Sequence, residues 1–317
     1  MVKCLLCTRR QHIARVMLTG WLAVTMAGPA AALQAPPPTA TDGTFTVRGS
    51  IGMLEGRAGE YVYIGPYTLS ELLWDISGVV MAGVTASWRV HTRWSLNAGA
   101  WSALNTGNGE MTDKDYRLPG FDWTDFSRSE VDVERGLAFD INAGFRLNQH
   151  GRVALTALVG YRQDIWEWTD RAQEFVYSDA GFRDWRGHFG GINAIDYKQT
   201  FRIPYAGLHV GGPAGTRFHW QAYAIGSVFG SAEAHDHHIL RGLHFEDTFS
   251  GLTYLALGIA AGLELTARTG LELALHIQHI PESTGDGYIV EDDTHHPDGA
   301  GIALDTAKVS LAVTHRF

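Results

Sequence analysis

The sequence predicts an all-β fold, a ten-stranded antiparallel transmembrane β-barrel of the outer membrane. Three observations predict it: segments in which apolar and polar residues alternate, connections that are short and long in turn, and a chain that ends on Phe317 within a strand. Alternation is typical of strands with one apolar and one polar face. No uncharged apolar run of about 18 residues follows the N-terminal segment, so no transmembrane helix is expected.

The N-terminal segment is typical of a secretory signal peptide. A basic start is followed by the apolar run 16–27 and the small residues 30–32, which is the order of parts in a signal peptide. A membrane anchor is the alternative, but the apolar run is shorter than the roughly 20 residues that cross a bilayer. We therefore expect a signal peptide over residues 1–32, a flexible leader over 33–43 and a barrel domain over 44–317.

The composition of the mature chain excludes several chemistries. Both cysteines, Cys4 and Cys7, lie in the expected signal peptide, so no Cys nucleophile and no Cys-ligated metal site is expected. The chain has 25 Lys and Arg against 34 Asp and Glu; removing the four basic residues of the signal leaves 21 against 34, a net charge of −13. Nucleic-acid binding is not expected, because its affinity depends on neutralising phosphates, whereas cationic partners suit this charge.

The strands follow from the alternation. It is clearest over 137–148, where apolar residues such as Phe139 alternate with polar ones such as Asp140. Trp88 and Trp94 flank a tight turn, as residues at a membrane interface do, which favours a membrane barrel over a soluble β-sandwich. The ten expected strands span, to within a few residues, 44–57, 70–91, 94–106, 132–147, 152–170, 195–210, 216–232, 250–266, 270–285 and 301–317.

The connections between these strands alternate in length, like the short periplasmic turns and long external loops of outer-membrane barrels. The short ones are 92–93, 148–151, 211–215 and 267–269. The long ones are 58–69, 107–131, 171–194, 233–249 and 286–300. The first strand is expected to run outward, so every odd-numbered strand ends at the cell exterior. The long loops after the third and seventh strands therefore share one external rim.

Two candidate catalytic pairs lie in these two loops, Asp113 with Asp115 and Asp236 with His238. Residues two apart on an extended chain point the same way, so a carboxylate orients the imidazole in one pair, and two carboxylates share a proton in the other. Together they could activate water for attack on a carbonyl without a covalent nucleophile, a metal or another cofactor. Two other interpretations stay open, ordinary solvated loop residues and zinc binding by the cluster 235–238.

Five stretches, in their order and spacing, carry a resemblance to a known family. They are Gly59–Tyr63, Met111–Tyr116, Trp123–Arg128, Gly181–Asp184 and Ile195–Leu208. Here the chain resembles the omptins, ten-stranded outer-membrane proteases, and the similarity extends over essentially the whole mature chain. It implies a metal-free surface endopeptidase of a Gram-negative bacterium, with its active site facing the exterior. The implied substrates are basic peptides or host proteins, cut between or next to basic residues.

The resemblance also implies a role for each catalytic candidate. Asp113 and Asp115 match the paired aspartates that hold the attacking water. His238 matches the general base, and Asp236 matches the residue that orients it.

Two acidic pockets flank the cleaved bond in the family, an upstream pocket for the residue before it and a downstream pocket for the residue after it. Glu60 matches an acid of the upstream pocket, and Asp125 matches the acid of the downstream pocket. The second upstream acid of the family falls at Ala234, or at Glu233 if the gap is placed differently, so basic specificity there is less secure.

Outer-membrane lipid is a further implied partner. Omptins need lipopolysaccharide as an activator, held by basic residues on the outer face of the barrel. Two of those positions are Ile165 and Thr200 in this sequence. Because phosphate groups are bound by cations, lipid activation is expected to be weakened or arranged differently.

Three other functions are alternatives for a barrel of this kind. A non-proteolytic surface adhesin or binding barrel is the leading alternative. A lipid-modifying hydrolase usually needs a Ser nucleophile beside a His, and no Ser is paired with His238 in the sequence. A porin is disfavoured because ten strands leave little lumen once side chains fill it.

Overall fold

The computed structural model describes residues 43–118, 120–150 and 152–317, which form one antiparallel sheet that closes on itself. The expected signal peptide, and all but the last residue of the expected leader, lie outside the described residues. No helix in the described part of the chain is long and apolar enough to span a membrane. The strands are β1 (Phe45–Ile64), β2 (Tyr67–Arg89), β3 (Trp94–Ala103), β4 (Gly109–Asp115), β5 (Asp125–His150), β6 (Val153–Tyr177), β7 (Trp185–Ala214), β8 (Phe218–His238), β9 (Leu243–Glu264), β10 (Thr269–Ile289) and β11 (Thr294–Arg316).

The barrel closes where β1 pairs with both β2 and β11. This confirms the predicted antiparallel barrel, with one difference. The described residues form eleven strands, because the expected third strand is interrupted and continues as a separate one. β3 and β4 both lie between β2 and β5, one beyond the other. In the break, the Asn105 side chain replaces backbone partners, accepting from Val80 N at 2.7 Å and donating to Gly78 O at 2.9 Å. The circumference is therefore still ten strands.

The prediction of long external loops was wrong in extent, because the strands continue far beyond their expected ends. Their outer connections are 65–66, 178–184, 239–242 and 290–293, and the expected loop 107–131 holds all of β4 and the start of β5. The apolar face of an expected strand marks contact with lipid. Beyond the membrane both faces meet water or polar groups, so the contrast between alternating residues fades and the sequence resembles loop.

A belt of exposed apolar side chains surrounds the part of the barrel nearer the short turns. It includes Ile51, Val84, Phe139, Ile141, Val159, Leu208, Leu257, Ile259, Leu273 and Val313. Beyond the belt the outward side chains form ion pairs instead, among them Arg135 with Glu167 at 2.9 Å and Arg202 with Glu233 at 2.8 Å. A lipid-facing apolar belt is the expected feature of an outer-membrane barrel. The strands therefore cross the membrane at the belt. Their outer ends, which carry the ion pairs, project beyond the membrane.

Side chains fill the described interior. At the level of the belt they are polar, with the ion pair Arg48–Glu272 at 3.0 Å as an example. Nearer the exterior they become aromatic: Trp74 and Trp168 both stack on Tyr197, with ring centroids 5.1 and 5.7 Å apart. This aromatic cluster forms a floor beneath the outer end of the barrel. A filled lumen agrees with the argument against a wide porin channel.

Candidate active site

A cleft of about 970 Å³ opens above the aromatic floor, between the strand extensions that project from the membrane. It is lined by all six residues that the sequence proposed as a site: Glu60, Asp113, Asp115, Asp125, Asp236 and His238. The two candidate catalytic pairs thus meet at one external mouth, as the direction of the strands predicted. They lie on β4 and β8 rather than on loops, so the sheet holds them in place.

The aspartate pair points into the cleft from β4. Pairing with β2 places Ser70 opposite Asp115, and the Ser70 hydroxyl donates to Asp113 Oδ1 at 3.2 Å. Burial, followed by the charge of Asp115, raises the pKa of Asp113 to about 7, while His238 acts in the opposite direction. The pair can therefore hold one proton near neutral pH.

The Asp236 and His238 side chains form a direct contact. His238 Nε2 lies 2.7 Å from Asp236 Oδ2, and the Asp236 side chain is only 4% exposed. The other ring nitrogen, Nδ1, accepts a longer hydrogen bond of 3.3 Å from Arg241 Nη1 at the exposed turn between β8 and β9. A buried carboxylate on one nitrogen and a lone pair on the other is the arrangement of an oriented base.

The alternation of side chains along β8 separates the residues of the cluster 235–238, which the sequence offered as candidate zinc ligands. Asp236 and His238 line the cleft, whereas His235 and His237 border a separate groove on the other side of the sheet. His237 stacks instead on His244, with ring centroids 4.0 Å apart. Within the described ranges, no group of three or more His, Asp or Glu side chains is placed to hold a metal ion.

Acidic side chains gather at one side of the cleft. Glu60 is 5% exposed and accepts from Trp74 Nε1 at 3.1 Å. Burial, then the charges of Asp236 and Asp247, raise its pKa well above the usual value. Burial, then Asp236, raises the pKa of Asp247 to about 7. Among the residues that the structure describes, none forms an ion pair with Glu60 or Asp247, so a cation entering the cleft would favour their ionised forms.

Asp247 lies next to one of the two positions expected for the second upstream acid. Ala234 is buried and lies directly opposite Asp247 in the β8–β9 ladder. Glu233, the other expected position, faces away from the cleft and is paired with Arg202 at 2.8 Å. On this side of the cleft, an acidic side chain is therefore supplied by Asp247 of β9, and not by either of the expected positions on β8.

Asp125 is held by the chain itself. It is 3% exposed; its Oδ1 accepts from the backbone nitrogen of Ser178 at 3.1 Å, and its Oδ2 accepts from the Thr124 hydroxyl at 2.7 Å. Arg117 Nε also lies 3.4 Å from Oδ2. Asp125 thus joins the turn between β4 and β5 to the turn between β6 and β7.

A family model for the omptins matches residues 41–317. The chain belongs to the omptin family. The match covers the whole described barrel, including both candidate catalytic pairs. It agrees with the resemblance found in the sequence.

Named relatives agree with this assignment. The plasminogen activator of Yersinia pestis is 28% identical to this omptin over 290 residues, which cover 88% of this chain and 92% of the relative. Protease 7 of Escherichia coli strain K12 is 34% identical over 169 residues, covering 50% of this chain and 53% of the relative. The crystal structure of the outer membrane protease OmpT from Escherichia coli matches the fold with a TM-score of 0.82 at 22% identity, covering 88% of this chain and 100% of that one. This omptin is therefore a surface endopeptidase of the Gram-negative outer membrane.

Sequence reasoning missed two acids of this omptin. Asp247 was missed because the register of β9 decides whether its side chain points into the cleft or outward. Asp170 is 1% exposed and accepts from Ser129 Oγ at 2.5 Å and from the backbone nitrogens of Ala194 and Ile195 at 2.9 and 2.7 Å. It anchors the part of β7 that pairs with His238. A lone Asp within an expected strand was the only local signal.

Proposed function

We propose that this omptin hydrolyses peptide bonds next to a basic residue, using a water molecule activated between two side-chain pairs. The observation that carries the proposal is the 2.7 Å contact between His238 Nε2 and the buried Asp236, in the same cleft as Asp113 and Asp115. Water replaces Arg241 at His238 Nδ1, where the bond is long at 3.3 Å and lies at an exposed turn. Nδ1 then takes a proton from the water, and Asp236 stabilises the imidazolium that forms. The aspartate pair holds the water by hydrogen bonds.

The aspartate pair suits this role because of its protonation. With a pKa of about 7 for Asp113, one of the two carboxyl groups is protonated in much of the neutral range. A protonated carboxyl donates a hydrogen bond and its ionised neighbour accepts one. The pair can therefore orient a water molecule and donate to the oxygen of the attacked carbonyl, where negative charge develops.

Recognition of the basic residue is supported by Glu60 and Asp247. Both are acids held in the cleft, and among the described residues neither has an ion-pair partner. A substrate guanidinium or ammonium would supply the missing positive charge, and charge-assisted hydrogen bonds in a partly dry pocket are strong. We assign these two residues to the upstream pocket.

Quenched fluorescent peptides test the proposal. The refolded mature protein would be given peptides that differ only in one Arg, Lys, Gln or Leu, with EDTA in a parallel series and His238→Ala as the inactive variant. We expect cleavage directly after Arg or Lys, lost in the variant and unchanged by EDTA. Equal cleavage after Gln and Leu would refute basic recognition, and loss of activity in EDTA would refute metal-free activation.

We also propose that lipopolysaccharide activates this omptin only weakly. Ile165 and Thr200 are cross-strand neighbours on the outward face of β6 and β7 and carry no charge. The nearby cations are already paired, Lys198 with Glu167 at 3.1 Å and Arg202 with Glu233. The same peptide assay with and without lipopolysaccharide checks this. A complete dependence on the lipid would contradict it.

A further inference from the structure

A basic side chain of the chain itself lies at the downstream acid. Arg117 follows β4, and its guanidinium contacts two carboxylates, with Nη2 3.0 Å from Asp115 Oδ2 and Nε 3.4 Å from Asp125 Oδ2. We propose that Arg117 is a specificity-determining residue that fills the position of a basic substrate side chain, so that this omptin disfavours a basic residue directly after the cleaved bond. The inference rests on the proposed function, because it concerns the same cleft.

The contacts of Asp125 leave little for a substrate cation. One of its oxygens accepts from the Ser178 backbone, and the other faces both the Thr124 hydroxyl and Arg117. A substrate Arg would have to displace a guanidinium that is tethered to the same protein. An intramolecular group competes at a high effective concentration, so this exchange of one cation for another gains little binding free energy.

The backbone keeps Arg117 in this place. The backbone nitrogen of Thr124 donates to Asp115 O at 2.7 Å, and the nitrogen of Arg117 donates to Thr124 Oγ1 at 3.2 Å. These bonds continue the β4–β5 ladder to the residue that carries the guanidinium. The Arg117 side chain is 60% exposed, so its removal leaves no cavity in a core.

The two sides of the cleft therefore differ in charge. On the upstream side, Glu60 and Asp247 have no ion-pair partner among the described residues. On the downstream side, Asp125 is already paired with Arg117. The exposed guanidinium of Arg117 also repels a second cation and favours a neutral or acidic residue. Cleavage is expected after Arg or Lys and before a residue that is not basic.

The test uses two quenched peptides that are identical except for Arg or Val immediately after a single Arg. The refolded full barrel would be assayed for kcat/KM on both, beside Arg117→Ala and Arg117→Gln, the second of which keeps much of the side-chain length without charge. We expect the wild type to prefer Val. Both variants should shift the ratio towards Arg by about fivefold, the upper value for a partly exposed ion pair, and adding Asp125→Asn should remove the shift.

Arg128→Ala serves as the matched control, since Arg128 lies on the same hairpin but pairs with Glu110 and Glu174. Its ratio should stay at the wild-type value. An unchanged ratio in the Arg117 variants, with cleavage after the first Arg intact, would overturn this inference and leave the proposed function standing. A folded wild type that cleaves neither peptide would overturn the proposed function, and this inference with it.

Discussion

Replacing Asp236 by Asn separates the orienting role of this residue from its size. Asn keeps the shape of the side chain but presents a neutral amide to His238 Nε2. It no longer stabilises the imidazolium that forms when the base takes a proton from water. We expect kcat to fall with little change in KM, because the lost interaction strengthens only as His238 gains charge.

The size of the effect follows from the burial of the pair. The contact is 2.7 Å long, between side chains that are 18% and 4% exposed, so water weakens it little. A hydrogen bond to a charged group contributes about 1.5–3 kcal/mol, and about 1.36 kcal/mol corresponds to a tenfold change in rate. The expected loss is therefore roughly 10- to 150-fold. His238→Ala removes the base itself and should cost roughly 10²- to 10⁴-fold.

The assay is steady-state cleavage of a quenched peptide with one Arg, by refolded protein whose barrel is checked by its heat-dependent mobility on a gel. His237→Ala is the matched control, because it lies on the same strand and faces away from the cleft. It should retain the wild-type rate. An Asp236→Asn rate within twofold of the wild type would refute the orienting role, and an equal loss in His237→Ala would point to damage of the strand.

Three further predictions concern protonation and the membrane belt. Ser70→Ala removes a donor that lowers the pKa of Asp113, so the ionisation near pH 7 in the kcat/KM profile should move to higher pH; an unmoved profile contradicts the assignment. The folded-state pKa of Asp247, about 7, exceeds its unfolded value, so its stabilising contribution is present below about pH 4 and lost as the pH rises to 7. Asp247→Asn should therefore raise the free energy of unfolding by up to roughly 4 kcal/mol at pH 8 and not at pH 4. Urea unfolding measures this, and equal gains at both pH values contradict it. Ile259→Arg in the belt should lower the free energy of unfolding in lipid vesicles by about 2–4 kcal/mol, whereas Thr248→Arg, outside the belt, should not.

Much of the barrel was predictable from periodicity along single strands. Phe139 and Asp140 fall on opposite faces because successive side chains alternate, and the lipid makes one face apolar. The direction of successive strands then placed Asp113 and Asp236 at the same rim, although they are far apart in the chain. The ends of the strands were not predictable, because the lipid contact that marks them stops at the membrane.

The direction in which the Asp247 side chain points could not be predicted from alternation. In β9, Leu252 and Tyr254 point inward, but beyond Gly251, with φ at +70°, the inward residues are Asp247 and Phe249. The register of β8 against β9 shifts at the same place. A bulge of this kind moves every later side chain to the other face, so alternation alone would have placed Asp247 on the outside.

Periodicity is a local property of the chain, and it was sufficient for the barrel, its direction and the rim that carries the catalytic pairs. Which side chains meet across strands depends on bulges and turn lengths that only the closed sheet sets. The pairing of Ala234 with Asp247, and the reach of Arg117 to Asp125, are contacts of that second kind. The motifs identified one acid on each side of the cleft, Glu60 and Asp125. The further charges, Asp247 and Arg117, were decided by contacts between strands and turns that no motif encodes.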